Sequence, residues 1–182
     1  MGTRSEIIVT NPSINSWIEL WKRWDGYPEY MINFFKEAAE YAAFIVGNQT
    51  HLLSYPEDVA AMLIGFDWTW RIGNRIHDQE FVKYGFLKGD LRPRGSIFEL
   101  EYFYVLDVSH GSEGYWKLTC YEFHGSISEK YMKVLRKKAA MTRPLPNNIF
   151  THITDVRLEL KPNIPESIKP VVVLQILYNK IK

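Results

Sequence analysis

Asp25 and Glu29 are the carboxylates of the segment Trp24-Asp25-Gly26-Tyr27-Pro28-Glu29, where chemistry-bearing residues are most concentrated. The segment sets a carboxylate at the end of a β-rich run, then a glycine that allows close approach, then Pro28 where a helix would begin. Helix-terminal amides attract anions, so this corner could hold a ligand. The same residues suit an architectural corner, in which Asp25 satisfies first-turn amides, Pro28 fixes the entry and Trp24 with Tyr27 packs the bend. Metal-dependent nuclease chemistry needs two or three carboxylates around Mg²⁺ with a lysine close by. Asp25, Glu29, Glu99, Glu101 and Lys117 supply those groups if the first and middle hairpins are neighbours, although Glu99-Leu100-Glu101 also describes a half-solvated strand. No metal or cofactor is expected otherwise. His51, His77, His110, His124 and His152 lack paired ligand spacing, and the glycines from Gly85 to Gly95 lack the Gly-Lys-Ser/Thr ending of a phosphate loop. Cys120 alternates with Trp116 and Leu118 and reads as a buried, inert thiol. Lys130, Lys133, Arg136, Lys137, Lys138 and Arg143 form a basic cluster with Glu129 as its nearby acid; they could contact nucleic-acid phosphates or simply make a solvated helix face.

Elements must place these residues. Glu6 to Thr10 and Ser16 to Trp24 are β-rich runs separated by the turn-forming Asn11-Pro12-Ser13-Ile14-Asn15, which predicts a hairpin. The second run is apolar on both faces, with Ile18, Leu20 and Trp24 on one and Trp17 and Trp21 on the other, so it reads as a central strand. Met31, Phe34, Phe35, Ala38, Tyr41, Ala42 and Ile45 recur at three- and four-residue spacing, predicting an amphipathic helix over 28–46 stopped by Gly47-Asn48. Ser54 and Glu57 have capping-box spacing ahead of a second helix over 56–72. Residues 73–95 form a long connection. Phe98 to Asp107 and Tyr115 to Phe123 predict a second hairpin, with Phe98, Leu100, Tyr102, Tyr104 and Leu106 sharing a face. Ser128 to Ala140 reads as a basic helix whose thin apolar side is Tyr131, Val134 and Leu135. His152 to Leu160 predicts a strand, as does Val171 to Tyr178; that final apolar run should sit inside the sheet or pair with a second copy.

The expected architecture is α+β: a mostly antiparallel sheet of five or six strands with two amphipathic helices packed on one face. The 182 residues fit a single domain, 1–182, although residues 141–182 could form a C-terminal extension. A formal charge of +1 disfavours a nucleic-acid-coating polycation and a strongly acidic protein alike. One cysteine excludes an internal disulfide, no leader-like apolar stretch opens the chain, and no apolar run approaches the roughly 20 residues that span a bilayer. A cytoplasmic protein with no membrane association is expected.

The start Met1-Gly2-Thr3-Arg4-Ser5, followed by Trp24-Asp25-Gly26-Tyr27-Pro28-Glu29, resembles a group of small proteins of unassigned activity encoded by phages, archaeal viruses and prokaryotic genomes. Members of that group carry a His-Trp-Asp-Gly-Tyr-Pro-Glu-Gly-like segment; here Arg23 replaces the His and Tyr30 the final Gly. A fainter likeness covers Glu101 to Tyr121, with its Trp116-Lys117 pair. The resemblance implies a viral or mobile-element setting and no reaction. Together with an aromatic content of 15%, which could feed an interface, it suggests an accessory protein that acts by binding a protein partner or a second copy of itself. Nucleic-acid binding or a metal-dependent nuclease using the Asp25–Glu29 corner and the basic 130–143 helix is the rival expectation.

Overall fold

A computed structural model describes residues 3–22, 26–75, 91–93, 100–169 and 172. Strands β1 (Arg4–Asn11) and β2 (Ser16–Lys22) form the first antiparallel hairpin across a 3₁₀ turn at Pro12–Ile14. The short β3 (Leu91–Pro93) pairs with β2, while β4 (Leu100–Asp107) and β5 (Tyr115–Phe123) form the second hairpin and β6 (Phe150–Glu159) pairs with β5. The two hairpins meet along β1 and β4, a parallel pair, giving the order β3-β2-β1-β4-β5-β6. The protein is therefore α+β with a mostly antiparallel sheet.

β2 does not take the centre of the sheet. β1 and β4 do, and β1 is buried from Ser5 to Asn11 because both its faces are covered. Ile7 and Val9 face a large core shared with helices α1 (Pro28–Val46) and α2 (Pro56–Arg75). Ile8 faces a smaller core beneath α3 (Glu129–Ala140), on the opposite side of the sheet. The basic helix thus adds a third layer to the expected pair. It buries Met132, Leu135, Arg136, Ala139 and Ala140, while Tyr131 and Val134 stand outward, so its apolar side lies elsewhere than the spacing suggested.

Two bulges reset the alternation of side chains. Arg4 pairs with Leu100 but Ser5 with Tyr102, so Leu100 joins the smaller core instead of following Tyr102, Tyr104 and Leu106. A second shift beside Cys120 turns Phe150 and His152 to the α3 side, while Val156, Leu158 and Leu160 enter the larger core. Residues 141–169 feed both cores, through Leu145 and Ile149 on one side and Ile168 on the other.

Ser54 and Glu57 do not form a capping box. Ser54 ends a 3₁₀ turn over Thr50–Ser54, its Oγ accepts the Ser112 amide at 2.9 Å, and Glu57 accepts the Ser16 hydroxyl at 2.6 Å. The same turn is gripped by the Trp116 indole, which donates to the Leu53 carbonyl at 2.8 Å, and by the Asn11 amide, which donates to the Ser54 carbonyl at 2.8 Å. Much of the 73–95 connection and the strand expected over 171–178 lie outside the described residues, except that the Val172 amide donates to the Ile168 carbonyl as in a helical turn.

Candidate functional site

Thr3 of the N-terminal segment and Gly26 of the corner are 23 positions apart in sequence and in contact in space. The Gly26 amide donates to the Thr3 carbonyl at 3.1 Å, and the Tyr104 hydroxyl donates to the Gly26 carbonyl at 2.7 Å. A Cβ on Gly26 would lie 2.8 Å from Ser5 Oγ, so glycine is required there by close approach to β1; its φ lies outside the left-handed region. Tyr27 caps α1 in an extended conformation without a side-chain bond, Pro28 occupies the first turn as expected, and exposed Glu29 supplies its acidic residue. Trp24 and Asp25 lie outside the described residues. What is visible of the corner pins α1 to the sheet through backbone bonds.

Beneath this corner Lys22 and Asp67 form a fully buried ion pair at 2.8 Å, with the Lys22 ammonium also 5.2 Å from the Phe34 ring centre. Neither residue stood out in the sequence. Lys22 falls in register with Ile18 and Leu20 on the core face of β2, and i, i+2 alternation gives no warning that an inward lysine has a carboxylate waiting on α2.

The basic cluster divides in two. Lys130, Lys133, Lys137, Lys138 and Arg143 are exposed, and the structure pairs none of them with a carboxylate among the described residues. Arg136 turns inward with only 4% of its side chain exposed and grips Glu6 with Nε and Nη2, a bidentate fork, while Nη1 reaches Glu129 at 2.6 Å. Burial alone would lower the Arg136 pKa, but the bonds to Glu6 and Glu129 outweigh it and hold the group above its ordinary value. Burial raises Glu6 above the usual carboxylate range, against the opposing pull of Arg136. Arg136 is therefore a packing residue and not a contact available to phosphates. The sequence could not show this, since its partner lies 130 positions away.

Around the outer face of α3, Tyr131 and Val134 are 43% and 50% exposed, one turn apart, with Lys130, Lys133, Lys137 and Lys138 on either side. On the flank of α3 turned away from Tyr131 a groove of about 260 Å³ runs between β2 and α3, lined by Trp17, Glu19, Lys133, Arg136 and Lys137. An indole and a hydrocarbon stripe framed by lysines can accept a surface that is both apolar and acidic.

Of the five residues considered for nuclease chemistry the structure describes Glu29, Glu101 and Lys117, and it holds Lys117 far from Glu101. Asp25 and Glu99 lie outside the described residues, Glu29 is on the first turn of α1, and Lys117 faces Asp107 across the β4–β5 ladder. Glu101 lies six residues further along β4, about 20 Å away at roughly 3.4 Å per residue. Among the described residues no three His, Cys, Asp or Glu side chains gather as metal ligands. His110 stacks on Tyr115 at 4.7 Å, His124 meets the Thr151 hydroxyl at 2.8 Å, and His152 meets Asp155 at 3.1 Å; His77 is outside the described residues. Cys120 is fully buried, and that burial pushes its thiol up to about 12. No helix among the described residues is long and apolar enough to cross a membrane. The chain matches no protein-family model, no curated protein and no solved structure.

Proposed function

We propose that this chain is an accessory protein of a virus or mobile element that works in the cytoplasm by binding an acidic protein partner through the outer face of α3. The observation that carries the reading is the exposed Tyr131–Val134 stripe set among four lysines that have no carboxylate partner of their own among the described residues. Protein interfaces combine an apolar, often aromatic centre with a charged rim, and opposite charge across the rim speeds encounter and fixes register. An amphipathic acidic segment meets both demands, with carboxylates on Lys130, Lys133, Lys137 and Lys138 and an apolar side chain in the Trp17 groove. The viral or mobile-element setting rests on the N-terminal resemblance.

Nucleic-acid binding is the second reading, favoured by the same four lysines with Arg143. It makes no use of Tyr131, Val134 or Trp17, and Arg136 is spent on Glu6. Fluorescence anisotropy with a labelled peptide rich in Glu, Leu and Trp, and in parallel with a random duplex and a single strand, distinguishes the two. We expect saturable peptide binding at about 150 mM salt, where exposed charges are largely screened beyond roughly 8 Å. Tyr131→Ser should abolish it and Lys133→Glu should weaken it. Duplex binding that Lys133→Glu with Lys137→Glu removes and Tyr131→Ser leaves intact would replace this proposal with the nucleic-acid one, and no binding to any probe would reject both.

A further inference from the structure

α3 covers β1 and β4 and stops short of β5, so the outer half of that sheet face holds a recess of about 230 Å³ beside the helix C-terminus. We infer that this recess binds a small phosphate monoester that also carries an amine or hydroxyl group. Its floor is Val105 and Ala139, and its polar lining is Asp107, Lys117, Thr119, Tyr121, Thr142 and Arg143.

Three observations point to a ligand. The first is charge. Arg143 and Lys117 form no ion pair among the described residues, the Lys117 ammonium meeting the His110 ring at 3.1 Å and the Tyr115 ring centre at 5.9 Å, so two cations line one small cavity whose single carboxylate is Asp107. A phosphate monoester carries nearly two negative charges at neutral pH, and a guanidinium spans two of its oxygens while an ammonium meets a third. A lone carboxylate would match only half of that charge.

The second is unused hydrogen-bonding capacity. The hydroxyls of Thr119 and Thr142 make no hydrogen bond to described residues, and Asp107 spends one oxygen on the Ser109 amide at 2.9 Å, leaving the other to accept. A carboxylate in a phosphate site is repulsive unless the ligand brings a donor to it, which is why an amine or hydroxyl belongs to the ligand. The third is backbone. α3 ends with the Arg143 amide donating to the Lys138 carbonyl and the Thr142 amide to that of Ala139, a closure whose left-handed residue is usually glycine. Thr142 takes that position at φ 50° despite its branched side chain. The strain keeps a hydroxyl at the rim where glycine would have none. About 230 Å³ is smaller than an ordinary drug-sized pocket and suits one phosphate with a few carbons.

Thermal shift and titration calorimetry with O-phosphoethanolamine, inorganic phosphate and ethanolamine, at matched ionic strength, test the assignment. Saturable stabilisation by O-phosphoethanolamine, weaker stabilisation by phosphate and none by ethanolamine are expected. Arg143→Gln or Lys117→Gln should each cost about tenfold or more in affinity, the scale of losing a charged hydrogen bond, with unaltered melting of the unliganded protein. Asp107→Asn should erase the advantage of O-phosphoethanolamine over phosphate. Thr142→Gly should raise the melting temperature of the free protein while weakening binding, a pairing that a merely structural residue would not produce. Absence of saturable binding to either phosphate compound, or equal binding by wild type and Arg143→Gln, overturns the inference.

Discussion

Gly111 and Gly65 show how a single residue type takes opposite meanings from its surroundings. A Cβ on Gly111 would sit 2.0 Å from the Leu53 carbonyl oxygen, a backbone atom already held by the Trp116 indole, whereas one on Gly65, within α2, meets nothing within 4 Å. Gly111→Ala should therefore cost about 2–3 kcal/mol in chemical denaturation, the scale of overpacking against something that cannot yield. Gly65→Ala should gain about 0.5–1 kcal/mol by removing glycine's backbone entropy from a helix interior. Gly26 is a third case, because its two nearest obstacles belong to the Ser5 side chain, which can be removed, while the Ser5 backbone nitrogen stays 3.0 Å away. Gly26→Ala alone should cost roughly 1–3 kcal/mol. Adding Ser5→Gly should return part of that loss, and a double-mutant cycle would read the coupling. Strict additivity of the two changes would refute the contact as the cause.

At the scale of elements, α3 is held to the sheet by an ion pair as well as by its apolar residues. Arg136→Met leaves Glu6 buried with its fork removed, which should cost about 3 kcal/mol at neutral pH, the usual penalty for orphaning a buried charge. The sign of the pH dependence follows from Glu6, whose pKa burial already raises above 4.5. Without Arg136 it rises further, so the variant is most stable below about 4.5 and loses stability as pH climbs through the folded value. Its deficit against wild type should widen from pH 4 to pH 7, and a constant deficit in urea titrations at several pH values would contradict the account. The elements themselves were legible in the sequence wherever local periodicity decided them. The hairpins emerged from alternation and turn residues, and α1 occupies 28–46 because its apolar spacing, Pro28 and Gly47 all agree. Arg136 shares its local setting with the lysines around it, and only the distant Glu6 distinguishes it. Likewise Leu100 and Tyr102 alternate perfectly in sequence, and the bulge that separates their faces arises from pairing with β1. Ser54 and Glu57 have capping spacing, yet Ser112 and Ser16 claim them.

For the whole molecule, the larger core keeps Cys120 and Tyr104 neutral. Burial raises the thiol to about 12 against an ordinary 9.0 and lifts the phenol as well. Both groups are neutral in either state below about pH 9, and above it they ionise in the unfolded chain first, so stability should fall as pH rises from 9 towards 12. Thermal unfolding at pH 8, 10 and 11 should show that loss, and Cys120→Ala should reduce it while leaving the share that belongs to Tyr104. A thiol reagent at pH 8 should label Cys120 no faster than the molecule unfolds globally; rapid labelling of the native protein would mean that the core opens locally. The candidate sites were less legible than this core, because cavities and exposed faces depend on what covers them. Lys117 and Arg143 are 26 positions apart, and only the packing of α3 over half of a sheet face makes them neighbours.

The parallel seam between β1 and β4 also constrains the order in which the chain can assemble. Each hairpin closes over a short turn and can form within microseconds, whereas the seam joins strands separated by nearly half the chain and must first meet the entropy of closing that loop. The rate-limiting encounter should therefore bring two preformed hairpins together. Truncating Val9 and Leu106, which face each other across the seam, should slow refolding when the encounter is the barrier. A change confined to one hairpin's turn, such as Asn15→Ala at φ 52°, should act on the earlier step and leave the seam's contribution to the rate unaltered.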